Sequence, residues 1–393
     1  METSTARQAG EVLIAGGGIG GVAAALALAR RGYRARVLER SAELGEIGYG
    51  LQLGPNAYRM LEQFGVAGQL ADKAFFPRNL RVRDAIDDRE LTCMPLGDAF
   101  LARFGYPYCV IHRSDLHQIL LDAVRHEPGV VIETSRAVDA FTQDADGVTV
   151  TCEDGSRYEG MALIGADGLR SRVRAMVLDD GAPCVAGQVA YRGVVPIEDV
   201  DDRSHADDVV LWVGPNLHLV QYRLKGGRVM NNVAVVEDPD LRAGRIQTIE
   251  PARMEQMFEV CSPSIRRMLN FVSKERHWVL HDRDPRPGWS RGRVTLLGDA
   301  AHPALQYMAQ GACMALEDAH VLAQSLAGTV LPPDALQQYE AARFLRTARV
   351  QLTSRFFCRV CHAEGGARLV RNALLAQRPR DSYFEIDWLY RGI

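Results

Sequence analysis

The sequence is short of the features that most often fix a protein's class outright. Charge of one sign is missing: 46 Lys and Arg stand against 49 Asp and Glu, a net charge of −3 over 393 residues. Such a balance gives no reason to expect nucleic acid, whose binders are usually markedly basic. No apolar run reaches the roughly 18 to 20 residues that cross a bilayer, so no transmembrane segment is expected. Val22 to Ala29 has the length of a signal-peptide core, but it follows an acidic strand and lies inside a glycine-opened helix, which excludes that reading. Internal repeats, low-complexity tracts and long flexible linkers are also absent. The eight cysteines are scattered and no secretion signal accompanies them, so reduced thiols and a cytoplasmic setting are expected. One cluster, Cys358-Arg-Val-Cys361-His362, spells the haem c attachment pattern. That attachment belongs to exported proteins, and here the pattern falls in a long helical stretch, where thiols three residues apart read as packing residues. Neither haem nor a metal ion is expected. What remains is an ordinary globular composition, 24% charged and 47% apolar, long enough for two or more domains.

Against these absences one feature stands out. Glu11-Val-Leu-Ile-Ala is a short apolar strand, followed by Gly16-Gly-Gly18-Ile-Gly-Gly21 and an Ala/Leu-rich helix. In this G-x-G-x-x-G arrangement Gly16 makes the tight turn, Gly18 lets backbone approach a pyrophosphate, and Gly21 packs the helix on the sheet. The phosphates then face unpaired N–H groups at the positive end of the helix dipole. Glu39 closes a second strand, Arg34 to Leu38, and can accept from both ribose hydroxyls. Two further strands end in a Gly-Asp pair: Ala162-Leu-Ile-Gly-Ala-Asp167-Gly168-Leu-Arg-Ser171-Arg-Val-Arg174, and Arg293-Val-Thr-Leu-Leu-Gly298-Asp299-Ala-Ala-His302-Pro303. The carboxyl ends of strands are where open α/β sheets bind ligands, and an aspartate there can take the hydroxyls of an extended polyol.

Along the chain, Gly54-Pro55 opens a helix, residues 66 to 100 show no sustained period beyond the alternation Leu80-Arg-Val-Arg, and Tyr108 to Arg113 reads as a strand running into a helix capped by Ser114. Alternating strands fill 130 to 164, with turns at Asp146-Gly147 and Asp154-Gly155. Residues 185 to 240 alternate again and predict a separate, mostly antiparallel sheet. Helical patterning covers 251 to 270. After the apolar strand at 293 to 297, long helices are predicted over about 311 to 328 and 334 to 361, and the stretch around 334 to 375 could supply a homodimer face. A nucleotide fold begun at residue 11 is thus interrupted by a sheet and resumed near 293.

The three motifs, in this order and spacing, resemble the single-component FAD-dependent aromatic hydroxylases of the 4-hydroxybenzoate hydroxylase type, over residues 11 to about 350. The resemblance implies an α/β fold: a discontinuous, Rossmann-like FAD-binding domain (GR2-type) over 1–75, 100–180 and 275–335, a substrate domain over 76–99 and 181–274 built on the inserted sheet, and a C-terminal helical region over 336–393. It implies resident FAD, with NADH and O2 as co-substrates. Gly16, Gly18, Gly21, Glu39 and Arg40 would hold its ADP half, with Glu39 on the adenosine ribose. Asp299 would take the ribityl chain, and Gln52 and Arg113 would lie near the flavin. Asp167 would serve both FAD and the nicotinamide donor, while the N–H groups of Gly311 and Ala312 would face the pyrimidine edge. Many family members carry glycine at the position of Ala309 and asparagine at that of Cys313. That departure, with Gln52-Leu-Gly54-Pro-Asn, Leu305-Gln306-Tyr307 and Asp387-Trp-Leu-Tyr, is more similar to the branch acting on salicylate, 3-hydroxybenzoate and 6-hydroxynicotinate. Within it, the members that convert 3-hydroxybenzoate to gentisate are most similar.

Chemistry points to the reacting residues. A C4a-hydroperoxyflavin is an electrophile and attacks a phenolate far faster than a phenol. A phenol near pKa 10 is almost wholly protonated at neutral pH, so a base is needed, and an imidazole near 6.5 suits the task. His218 and Tyr222 share one face of the predicted strand with residue 220. The resemblance makes His218 the base, Gln306 its partner at the phenol oxygen, and Tyr222 and Tyr108 substrate-orienting residues; Tyr106 is the alternative to Tyr108. His302 reads as structural. The leading expectation is NADH- and O2-dependent hydroxylation of 3-hydroxybenzoate to 2,5-dihydroxybenzoate. A rival keeps the machinery but hydroxylates salicylate or 6-hydroxynicotinate with loss of CO2. A rival of another class, an NAD-dependent dehydrogenase without flavin, uses only the first motif and leaves both Gly-Asp motifs unexplained.

Overall fold

The computed structural model describes residues 10–45, 48–328 and 331–392. At its centre Val12, Leu13 and Ile14 are completely buried in the strand Glu11–Ala15. This strand is the middle of a five-stranded, wholly parallel sheet, in the order Val294–Leu296, Ala162–Gly165, Glu11–Ala15, Arg34–Leu38, Val130–Glu133. Alternate residues feed two cores, as a strand's period of two requires. Val12 and Ile14 pack under the helices Ile19–Ala29, Arg113–Arg125 and Gly311–Ala327. Leu13 packs on the other side with Val148, Val150 and Val173, beneath a three-stranded antiparallel sheet and the helix Arg172–Leu178. Each such side chain contributes about 1.5–3 kcal/mol of burial.

The register decides where ligands can sit. Ala15 lies beside Gly165, which lies beside Leu296. Three segments far apart in sequence therefore leave the sheet side by side at its carboxyl edge, each into its own motif: Gly16, Ala166-Asp167 and Leu297-Gly298.

The second sheet has seven strands, in the order His277–Asp282, Cys184–Pro196, Val229–Glu237, Leu217–Leu224, Val209–Gly214, Asn79–Asp84, Glu90–Pro95. All neighbours are antiparallel except Val209–Gly214 with Asn79–Asp84. On its outer face Leu217 and Leu219 pack with Phe258 and Ile265 from the helices Pro251–Phe258 and Pro263–Met268. A 30-residue helix, Pro332–Cys361, and the helix Gly365–Gln377 close the chain against both sheets. On these two helices Leu345, Leu352, Phe356, Leu369, Val370 and Leu374 are exposed. Among the described residues no helix is long and apolar enough to cross a membrane.

Two expectations need correction. The strand His277–Asp282, placed with the FAD domain by a boundary at 275, pairs with Cys184–Pro196 in the inserted sheet. The segment 76–99, placed in the substrate domain, supplies the strands Asn79–Asp84 and Glu90–Pro95 of that sheet, after the helix Ala67–Lys73. The helix after Tyr108 begins at Arg113, with His112 at its cap; Ser114 lies inside its first turn and pairs with His112 Nδ1 at 2.6 Å.

Candidate active site

At the nucleotide end the glycines are dictated by contact. A Cβ on Gly21 would fall 2.0 Å from the Gly16 carbonyl oxygen, and one on Gly16, whose φ is +106°, would fall 2.5 Å from that of Ala166. Gly18 caps the helix Ile19–Ala29 without any side-chain acceptor, so the first-turn N–H groups are left for a ligand. Glu39 reaches back across the loop: Gly17 N–H donates to its Oε2 at 2.6 Å and Ser41 N–H to its Oε1 at 2.8 Å. The buried His117 ring pairs through Nε2 with the Gly17 carbonyl at 2.7 Å. Arg40 lies next to Glu39 on the same wall.

The two Gly-Asp turns behave differently. The Asp167 carboxylate is taken up by the helix that follows, accepting from Ser171 Oγ, Arg172 N–H (2.7 Å) and Val173 N–H (3.1 Å). Burial raises its carboxyl, and Ser171 and these amides pull it back. Asp299, by contrast, takes no hydrogen bond from the described residues, and its side chain is open to the interior cavity. The dense protein around it raises its carboxyl, with Arg113 and then His302 opposing. Behind this turn lies a buried ion cluster. Asp318 accepts from Gly298 N–H at 3.0 Å, pairs with His302 Nε2 at 2.6 Å and accepts from Arg343 Nε at 2.7 Å. Arg343 also pairs with Glu317 at 2.7 Å. His302 therefore acts in the scaffold. The 17-residue helix Gly311–Ala327 starts beside Asp299, again with no side-chain cap, and Gly311 and Ala312 line the cavity. Ala309, just before it, adopts the left-handed φ of +51° that glycine takes more readily. Burial pushes the Cys313 thiol up to about 12, so it stays protonated.

Gly16, Gly18, Glu39, His117, Asp167, Asp299 and Gly311 line one cavity of about 1160 Å³, which runs on under the inner face of the seven-stranded sheet. Sites for drug-sized ligands occupy only about 300–1,000 Å³. His218, Val220 and Tyr222 point into it from the strand Leu217–Leu224, while Leu217 and Leu219 point away. Tyr108 lines the same space and donates from its hydroxyl to Gln52 Oε1, whereas Tyr106 lies outside it and donates to Glu62 at 2.7 Å. Burial holds the Tyr222 phenol up at about 12 and pushes Tyr108 well above its ordinary value, so both are hydroxyl donors at neutral pH. Gln306 Oε1 accepts from Arg192 Nη2 at 2.9 Å, which leaves the amide NH2 to face the cavity. His218 and Gln306 thus border one space, but no hydrogen bond joins them. The His218 Nδ1 instead meets His362 Nε2 at 2.7 Å.

A family model described as an FAD binding domain matches residues 9–354. The chain belongs to this FAD-binding family. Among curated relatives it is 44% identical to 3-hydroxybenzoate 6-hydroxylase 1 of Aquipseudomonas alcaligenes, over 96% of this chain and 97% of that protein. It is 42% identical to 3-hydroxybenzoate 6-hydroxylase of Polaromonas naphthalenivorans, over 96% and 95%. Among solved structures, that of Klebsiella pneumoniae HpxO complexed with FAD and uric acid superimposes with a TM-score of 0.80 at 27% identity, covering 94% of this chain and 93% of that one. The chain is thus an FAD-dependent aromatic hydroxylase.

The residues present fit the FAD of this family. Two helix N-termini without side-chain caps, the loop Gly16 to Gly18, and a carboxylate at Asp299 that takes no hydrogen bond from the described residues all border one cavity. The residue reading missed the partners that hold the site: His117 on the glycine loop, Arg192 on Gln306, and His362 with Glu237 behind His218. Only His362 carried a signal, as the last residue of Cys358-Arg-Val-Cys361-His362.

Proposed function

We propose that this hydroxylase converts 3-hydroxybenzoate to 2,5-dihydroxybenzoate with NADH and O2. The observation that carries the reading is the single cavity that joins the glycine loop to His218, Gln306, Tyr108 and Tyr222, in a chain similar end to end to 3-hydroxybenzoate 6-hydroxylases. The seven-stranded sheet is read as the substrate domain, and the free thiols of all eight cysteines support a cytoplasmic site.

When bound, FAD supplies the redox chemistry, passing electrons from NADH to O2 and activated oxygen to the ring. Gly16, Gly18 and Gly21 admit its pyrophosphate, Glu39 and Arg40 its adenosine end, and Asp299 its ribityl hydroxyls. Gln52, Arg113 and the amides of Gly311 and Ala312 border the ring system, with Asp167 shaping the loop beside it. His218 takes the phenolic proton at Nε2. Because Gln306 Oε1 accepts from Arg192, its NH2 is turned to donate to the phenol oxygen, which favours the anionic form. Tyr108 and Tyr222 hydroxyls orient the carboxylated ring. Oxygen then enters para to the activated hydroxyl.

The test is a panel of hydroxybenzoates and hydroxynicotinates scored for NADH and O2 consumption, with products identified. Gentisate from 3-hydroxybenzoate, with no CO2, is expected. Catechol and CO2 from salicylate as the preferred reaction would replace this reading with the decarboxylating one. In H218A, FAD content is expected to stay full while hydroxylation slows about 10²–10⁴-fold, the usual worth of a general base.

A further inference from the structure

Behind His218 a hydrogen-bonded chain leads out of the cavity. His218 Nδ1 lies 2.7 Å from His362 Nε2, and His362 Nδ1 lies 2.7 Å from Glu237 Oε2. His218 and His362 are 2% and 5% exposed, whereas the Glu237 side chain is 15% exposed and pairs with Arg242 at the surface. We propose that Glu237, His362 and His218 form a proton relay that makes His218 Nε2 the base for the substrate phenol and carries its proton to the protein surface. The proposal rests on the hydroxylase reading above and names how its base works.

The direction of the chain follows from its acidic end. An ionised Glu237 can only accept, so His362 must carry its proton on Nδ1. His362 Nε2 is then a lone pair, His218 must carry its proton on Nδ1, and the lone pair of His218 falls on Nε2, at the cavity. Without the relay His218 is poorly suited to its task. Burial and then the neighbouring His362 hold its imidazole well below the ordinary range. Burial also lowers His362, but Glu237 works against that. Burial opposes ionisation of Glu237 as well, yet the hydrogen bond and charge of His362, with Arg242 and Gln188, together outweigh it and keep the carboxyl below its usual value. The ionised carboxylate is therefore available to receive a proton at the far end of the chain.

The transfer balances. The phenol O–H gives its proton to His218 Nε2, His218 Nδ1–H to His362 Nε2, and His362 Nδ1–H to Glu237. A phenolate, two neutral imidazoles of opposite tautomer and a carboxylic acid result. When the product phenol is reprotonated from His218 Nε2, the same steps run backwards and restore the chain. Other groups around it are Tyr307, whose hydroxyl is 3.4 Å from His362 Nε2, Cys358, whose Sγ is 3.7 Å from Glu237 Oε2, and Cys361, Arg242 and Arg371. Glu237, Cys358 and His362 also place one ligand atom each within 4.8 Å of one another.

The test uses the FAD-loaded enzyme without NADH and a phenol whose anion is coloured, 3-hydroxy-4-nitrobenzoate. Its ionisation when bound is read by absorbance against pH for wild type, E237Q, E237D, H362Q and H218A. The relay predicts that E237Q and H362Q raise the pH of ionisation by at least one unit, a tenfold loss of bound phenolate, and that E237D recovers part of the shift. In turnover, kcat for hydroxylation should fall at least tenfold with KM little changed and FAD content full. Wild-type titration in E237Q and H362Q, with a shift in H218A alone, would overturn the relay and leave the hydroxylase reading standing. Wild-type titration and gentisate formation in H218A would overturn the base role and the relay with it.

Discussion

Arg343→Met tests whether the turn that carries Asp299 is held by the ion cluster behind it. Arg343 is fully buried and joins Asp318 and Glu317, and Asp318 in turn holds the Gly298 amide. Methionine keeps much of the volume but leaves two buried carboxylates short of a cation. Asp318 retains His302, and Glu317 retains Arg346 and Asn56, so the cost belongs within the ~3–5 kcal/mol of a broken buried pair. With an unfolding entropy of about 2.1 cal/mol/K per residue, 393 residues convert this to a fall in Tm of ~4–6 °C. A second arm uses pH. Burial works against ionisation of Asp318, but His302 and Arg343 outweigh it and hold the carboxyl down at about 2, against 3.8 ordinarily. A depressed carboxyl stabilises the fold above pH 3.8 and loses that contribution as pH falls towards 2, here about 2 kcal/mol at 1.36 kcal/mol per unit. Urea midpoints between pH 5 and pH 3 should therefore fall less steeply in the variant than in wild type, and FAD should bind more weakly. A Tm within 1 °C of wild type together with an unchanged acid slope would refute the reasoning.

In Gly21→Ala the new methyl falls 2.0 Å from the Gly16 carbonyl. Forced repacking of about 1–3 kcal/mol or more should leave a protein purified with little flavin absorbance, and full flavin content would contradict the contact. Ala309 carries a left-handed φ of +51°, so Ala309→Gly should hold or raise Tm while Ala309→Val lowers stability by at least ~1 kcal/mol; denaturation of the pair gives the answer. A homodimer formed through the stretch 334 to 375 would cover Leu352 and Leu369, both exposed on its two helices. L352E with L369E should turn a dimer into a monomer by light scattering, and a monomeric wild-type chain would remove the proposal.

Much of the cofactor end was readable because each motif follows an apolar strand, and a parallel sheet puts all such strand ends on one edge. The face shared by residues 218, 220 and 222 was equally plain from the period of two. The strands Asn79–Asp84 and Glu90–Pro95 left only the short alternation at Leu80 as a trace, because they are only partly buried and arginines at 81 and 83 blur the apolar count. The boundary near 275 failed because an edge strand, His277–Asp282, follows a helical stretch and returns to pair with a strand begun about 90 residues earlier. Behind His218 the decisive partners come from 144 residues away on a helix cap and from the end of another strand. No local pattern links them. The haem-like spelling around His362 drew attention to the right residue through the wrong chemistry.

The alignment of Ala15, Gly165 and Leu296 also governs the order in which the protein can be made. A ribosome releases the glycine loop first, but the strand Val294–Leu296 completes the sheet edge only after three-quarters of the chain has emerged. The nucleotide cradle therefore waits, half built, while the inserted sheet folds. Such distant pairings are slow to form, and a ligand that binds the folded state alone would draw the last step to completion by mass action. Cells short of flavin should accumulate this protein with its amino-terminal strands formed and its carboxyl-terminal third open to proteolysis.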